Sequence, residues 1–307
     1  MNRVPWVIGL PVLLDLLVWL GPRLSVAQLS DRVLGALGSM VDAMSRSAGA
    51  SSAEQLSQFQ QSIEFIRSTA QVFNLLSLLA VGGLSMRSAV PEDKSGQAGS
   101  FEIATVGAVL GIAIVLILVG VALAVIWLGL IAQQVREGRI DPPRLLRMAP
   151  RYWLAIVGFF ALLIGALVVI LVPISVVAAI AQIVAPAVGT FLYVFAAIAF
   201  QLLLFWCLLY LFFIDYAIVV SEVGPVRAAL NSIRVVSTNF WSTLGFIIIT
   251  WVIMAGMGVI WNSLSRAPVG IVVAILGNGY IESGLAAASM LFYRNRIARL
   301  AEPRRST

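Results

Sequence analysis

A chain of 307 residues that is 61% hydrophobic and 11% charged, with a mean hydropathy of +1.01, has more apolar surface than one water-solvated core can hold. That balance excludes a soluble globular domain and points to a polytopic membrane protein whose outer surface meets lipid. Histidine is absent and cysteine occurs once, at Cys207. His-based acid/base pairs, Ser/His/Asp triads, His-ligated haem, Cys-rich metal centres and an intramolecular disulfide are therefore excluded, and no catalytic, metal-binding or cofactor-binding residue is expected.

Runs of about 20 apolar residues, the helix length that crosses a bilayer core of about 30 Å, occur near 4–21, 104–132, 152–184, 190–220, 241–262 and 268–293. The expected fold class is all-α, with six transmembrane helices. The first run follows Arg3 and precedes Ser25-Val26-Ala27, as in a cleavable signal, but Pro11 and Asp15 interrupt it and it is longer than a signal core. A retained membrane helix over 1–21 is the expectation.

Residues 22–103 are too polar to span. Leu29, Val33, Leu37, Met40, Val41 and Met44 recur at helical spacing, as do Leu56, Phe59, Ile63 and Ile66 behind a Ser51-x-x-Glu54 capping box. Two amphipathic helices joined by the Ser/Ala/Gly-rich stretch 45–53 follow, forming a helical hairpin on the outer side between spans one and two. The run from Val72 to Leu84 is too short to cross and is expected along the membrane surface or against the bundle. Residues 85–100 read as a flexible loop.

The second to sixth spans make a five-helix membrane domain over 104–297, followed by a basic tail over 298–307. Three of these runs exceed one crossing, so tilt, an interfacial extension or a kink at Pro173 is expected. Between spans four and five, Gly224 and Pro225 break the exit, and Val226, Ala229, Leu230, Ile233 and Val236 then share a face, with Arg227, Asn231 and Arg234 off it. This reads as a short helix on the inner membrane surface, either a connector or a coupling element for a cytoplasmic partner.

The net charge of +6 reflects sidedness, since no basic stripe with interleaved aromatics lies outside the span-flanking loops and nucleic acid is not an expected partner. With both termini in the cytoplasm, thirteen basic residues fall inside, including Arg136, Arg139, Arg144, Arg147 and Arg151, and seven outside, mostly on one long loop. An inner-membrane location in a bacterium is expected. Nineteen of the twenty basic residues are Arg, which suits a GC-rich genome.

Ionisable groups within apolar spans are costly, so Asp15, Asp215 and Glu282 are the first candidates for function. Asp215 lies near the cytoplasmic end of span four, where it reaches water. Asp15 has Arg23 two turns away as a prospective partner. Asn278 and Glu282 share a helix face, either as a hydrogen-bonded packing seam or as part of a relay. Arg227, Arg234, Arg136 and Arg139 are candidate contacts for anionic headgroups or a partner protein.

The string from Asp215 through Val236, with Glu222-Val223-Gly224, Ala228-Ala229-Leu230 and Ser232 before Asn239-Phe240-Trp241, resembles the membrane domain of glycerophosphoryl diester phosphodiesterases. It is similar also to bacterial multi-span proteins that have this domain alone. The similarity covers about 110–297, and Gly284 to Arg296 fits the same pattern. It implies a six-helix membrane fold, but no phosphodiesterase barrel is attached and its His and metal-binding carboxylates have no counterpart. The expected function is a non-enzymatic membrane scaffold or accessory subunit; a small-solute or lipid transporter using the Asn278/Glu282 region is the alternative.

Overall fold

The computed structural model describes residues 5–47, 53–81 and 88–301. The chain is a multi-pass, all-α membrane protein: among the described residues five helices are long and apolar enough to cross a bilayer, namely Val106–Glu137 (α5), Pro142–Val184 (α6), Pro186–Ser221, Phe240–Leu264 (α10) and Pro268–Leu300. It divides into two compact units. One comprises Met1–Ala124 with Ala255–Glu282, the other Val125–Met254 with Ser283–Thr307.

In the first unit a 3-10 turn at Pro5–Ile8 leads into α1, Gly9–Leu20. The described part, four 3-10 and twelve α-helical residues, is about 26 Å long against a bilayer core of about 30 Å, so among the described residues α1 falls short of the length that the other five reach. The helix stops where Gly21 and Pro22 follow, and its last carbonyls, which have no partner within the helix, are taken up from elsewhere. Gly96 donates to Val18 O at 3.1 Å, Gln97 to Trp19 O at 3.1 Å and Ala98 to Gly21 O at 3.2 Å. Gly96 has φ +80°, and a Cβ there would run into the Arg23 main chain, so only glycine suits this approach. The flexible loop read over 85–100 is thus corrected for residues 88–100: they are pinned along the end of α1. The segment then forms β2 (Ser100–Glu102), which pairs in parallel with β1 (Arg23–Ser25), Leu24 opposite Phe101.

Helices α2 (Ala27–Ser47) and α3 (Ala53–Val72) pack on each other, Arg67 meeting Asp31 at 3.3 Å, so the start of α2 lies beside the end of α3. The proposed cap at Ser51 and most of the 45–53 linker lie outside the described residues. After α3, Asn74 is fully buried: its side chain accepts from Leu24 N and Leu76 N and donates to Ser95 Oγ, joining β1, the 3-10 turn Leu75–Ser77 and the 88–100 segment. Leu75, Leu76, Leu79 and Ala80 are buried there, the last two in α4, Leu78–Val81. Of the two sites expected for this run, it takes the packed one, because Gly120 of α5 leaves room for the Leu79 carbonyl that a Cβ would strike.

The second unit is built from the later part of α5, from α6, and from α7 (Pro186–Tyr210), α8 (Ile214–Ser221), α9 (Pro225–Thr238), the first part of α10 and the end of α11, Pro268–Ala301. At 43 residues, α6 is about 64 Å long and stays α-helical through Pro150 and Pro173. It packs along α7, and the outward faces of both are apolar: Val169 is 72% exposed and Phe191 67%, a surface that requires lipid. The core centres on Phe213, 0% exposed, whose ring stacks on Phe292 at 5.6 Å and Phe246 at 6.3 Å.

Candidate functional site

Two polar clusters stand out, one in each unit. In the first unit the Asp15 carboxyl projects from α1 into a buried position, 3% exposed, where Oδ2 accepts from the main-chain N–H of Ala89 at 3.3 Å and from Asn278 Nδ2 at 3.5 Å. Ser88 also bonds this carboxyl. Glu282, one helical turn beyond Asn278, is 2% exposed. Two candidates that sequence spacing left apart, Asp15 and Asn278, therefore meet, separated by 263 positions in the chain. The Asp15–Arg23 partnership is not the arrangement found, because Arg23 turns away to donate to the Gln71 carbonyl. Apolar groups close the surroundings: Val18, Val90, Ile271 and Ile275 form a buried cluster beside it.

In the second unit, the end of α5, the start of α6 and the α8–α9 junction converge on Glu222. Its Oε1 takes Arg136 Nη1 at 2.7 Å, Arg144 Nη2 at 3.0 Å and the Tyr152 hydroxyl at 3.1 Å. The same two arginines also hold Glu137 Oε1, at 3.2 Å from Arg136 and 2.7 Å from Arg144, so charges of opposite sign alternate around a ring. Gln133 fixes the α5–α6 connection by accepting from Asp141 N at 2.9 Å and donating to Asp141 O at 3.1 Å, while the Asp141 carboxylate caps α6 through Arg144 N. Beneath the ring is a cavity of about 10 Å³ lined by Gln133, Arg136, Tyr152 and Glu222, room for about one water molecule.

Glu222 adopts φ +53°, in the left-handed region, and is the non-glycine residue to do so among those described. It ends α8 there and turns the chain toward Gly224 and α9. Partial burial would by itself raise its carboxyl, but the hydrogen bond and charge of Arg136, the Tyr152 hydroxyl and the Arg144 charge outweigh it and hold the group below the usual glutamate range. Its stabilising contribution is therefore whole above the ordinary value near 4.5 and is lost as pH falls through the lowered folded-state value. Thermal unfolding in detergent between pH 6 and 3 should show the parent losing Tm more steeply below about pH 4.5 than Glu222→Gln does. Parallel curves would mean that the ring does not act through ionisation.

Of the other candidates, Asp215 does not reach water: it is 3% exposed within α8, among the fully enclosed residues Ile214, Ala217 and Ile218. Arg136 is committed to the ring and only 17% exposed at its side chain, whereas Arg139 is 82% exposed and free to meet a headgroup or partner, its nearest acid being Glu137 at 3.9 Å. Arg227 and Arg234 lie on the outer surface of α9. Sequence reasoning missed the Glu222 ring; the one available signal was an acidic residue placed just before a Gly-x break on the side carrying most of the arginines. The same end brings α11 back to α5 and α8, with Arg294 donating to Val135 O and Tyr293 OH lying 3.0 Å from Ser221 Oγ. No protein-family model matches the chain, and no characterised protein or solved structure was found to be similar to it.

Proposed function

We propose that the protein is a non-enzymatic scaffold or accessory subunit of a bacterial inner-membrane complex, with α1 crossing as a sixth span and both termini in the cytoplasm. The observation that carries the scaffold reading is the state of the Asp15 carboxyl. It is enclosed and bonded to the Ala89 main chain and to Asn278, which is how a packing seam uses a polar group. A relay would instead need a series of such groups along a hydrated path. The resemblance of the 215–241 region to the phosphodiesterase membrane domain fits a membrane role without hydrolysis. On this reading the arginine-rich end faces anionic headgroups or a cytoplasmic protein, and the α2–α3 pair lies outside the cell membrane.

The cytoplasmic assignment is supported by the gathering of Arg136, Arg139, Arg144 and Arg294 at one end of the second unit. In a Cys207→Ser background, a cysteine at exposed Lys94 is expected to react with a membrane-impermeant maleimide in intact cells, and one at Arg139 only after lysis. The reverse pattern would overturn the topology. For the scaffold reading, the protein is reconstituted in vesicles carrying a pH-sensitive dye and a proton gradient. The gradient should decay at the rate of empty vesicles for both the parent and Glu282→Gln, whereas a faster decay abolished by Glu282→Gln would replace the scaffold with a transporter.

A further inference from the structure

Helix α9 joins two helices of membrane-spanning length with a break of three residues before it and one after it, so both its ends are tethered to the ends of those helices. The sequence divides it into an apolar face and a polar one. The structure divides it into three. One face, Ala228, Ser232, Val235 and Val236, is 0% exposed and packs on the unit. Ser232 fastens it: its hydroxyl donates to Tyr210 O at 2.7 Å and accepts from Phe213 N at 3.2 Å, serving the turn that separates α7 from α8. Val236 therefore points inward, away from the group with which it was expected to share a face.

The remaining apolar residues point outward. Val226 is 64% exposed, Leu230 60% and Ile233 40%, and their spacing of four and three places them in one stripe. Arg227 and Arg234, both exposed, lie beside that stripe, seven residues and about 10.5 Å apart along the axis. There is no acidic residue in α9. Trp241, 80% exposed at the start of α10, stands where interfacial aromatics are commonly found.

We propose that α9 is an in-plane helix that seats Val226, Leu230 and Ile233 among acyl chains and binds the phosphates of anionic phospholipids through Arg227 and Arg234. This rests on the membrane reading above and commits the outer face of α9 to lipid over protein. The argument is charge complementarity together with continuity. A stripe that is apolar, flanked by two arginines on a helix without an acidic residue and tethered at both ends to spans has acyl chains and headgroup phosphates within reach, and a soluble partner would have to displace them. The Ser232 clasp holds the helix in that orientation before any lipid arrives, so little ordering cost accompanies binding.

The test uses the full chain in Cys207→Ser form, in nanodiscs of phosphatidylglycerol and phosphatidylcholine, with nitroxides placed singly at Leu230, Ile233 and, as a span control, Ile248. Leu230 and Ile233 are expected to be more accessible to oxygen than to a water-soluble nickel relaxant. Aqueous accessibility at Leu230, or shielding from both relaxants as a second copy would produce, overturns the proposal. If Ile248 stays in lipid in that case, only the α9 assignment fails; if Ile248 is aqueous too, the membrane reading itself fails. The second readout is lipid retained in native mass spectrometry from mixed micelles. Arg227→Gln and Arg234→Gln should each lower the enrichment of phosphatidylglycerol over phosphatidylcholine about fivefold, the equivalent of about 1 kcal/mol per basic residue at an anionic surface. Unchanged enrichment in the double variant overturns the headgroup assignment.

Discussion

Asp15→Leu is expected to lower the stability of the detergent-solubilised protein by about 3 to 5 kcal/mol, the largest single-residue effect outside the hydrophobic core, since two or more buried donors each lose their acceptor. Ala89 and Asn278 are each 8% exposed, so little water reaches the two donors when the carboxyl is removed. Asp15→Asn keeps an acceptor oxygen at the same place and should cost no more than about 1.5 kcal/mol. Denaturant or thermal unfolding in micelles gives the difference, and amide exchange at Ala89 locates it: protection there should fall sharply in the leucine variant and little in the asparagine variant. Equal stability of the leucine variant and the parent would show that the carboxyl does not hold the 88–90 segment against α1 and α11.

Glu222→Ala is expected to cost about 1 to 3 kcal/mol, for an electrostatic reason. Arg136, Arg144 and Tyr152 lose their common acceptor; Glu137 remains to both guanidiniums and the Val220 carbonyl to Arg136. Arg144 is 38% exposed at its side chain, and solvent screening keeps the figure below that of a fully buried pair. The backbone is a separate matter: alanine at φ +53° retains the Cβ that makes the left-handed region unfavourable, as glutamate does, so this substitution leaves that cost unchanged. Glu222→Gly removes the same carboxylate but relieves the backbone, so it should be about 1 kcal/mol more stable than Glu222→Ala. The order of the two variants in a thermal melt is therefore diagnostic: alanine at or above glycine would mean that the turn out of α8 contributes nothing to the role of this residue.

The extent of the membrane helices was legible because it depends on a local property. A run of about 20 apolar residues has to satisfy its own backbone within the hydrocarbon layer, and only a helix does so without a neighbour. Hence the runs read at 104–132, 241–262 and 268–293 appear as α5, α10 and α11 with ends extended into flanking polar residues. The short helix after Gly224-Pro225 was legible for a similar reason, proline at its first turn and helical spacing of apolar residues both being local signals.

Pairings were not legible, because they join residues that only the packed chain brings together. Nothing near Asp15 in sequence announces Ala89 or Asn278, and the nearby Arg23 was the plausible local partner that the fold uses elsewhere. Residues 88–100 carry the composition of a loop and yet are ordered by donating to the open carbonyls at the end of α1, a demand created by another element. Glu222 gains its role when the end of α5 and the start of α6 bring Arg136, Arg144 and Tyr152 onto it. Composition and run length suffice to read an all-α, multi-pass membrane protein, because both are properties of the chain before it packs. Which polar side chains are enclosed, and which, like Arg139, Arg227 and Arg234, stay on the surface, emerges in the packed fold, because burial and hydrogen bonding are properties of contacts between distant parts of the chain.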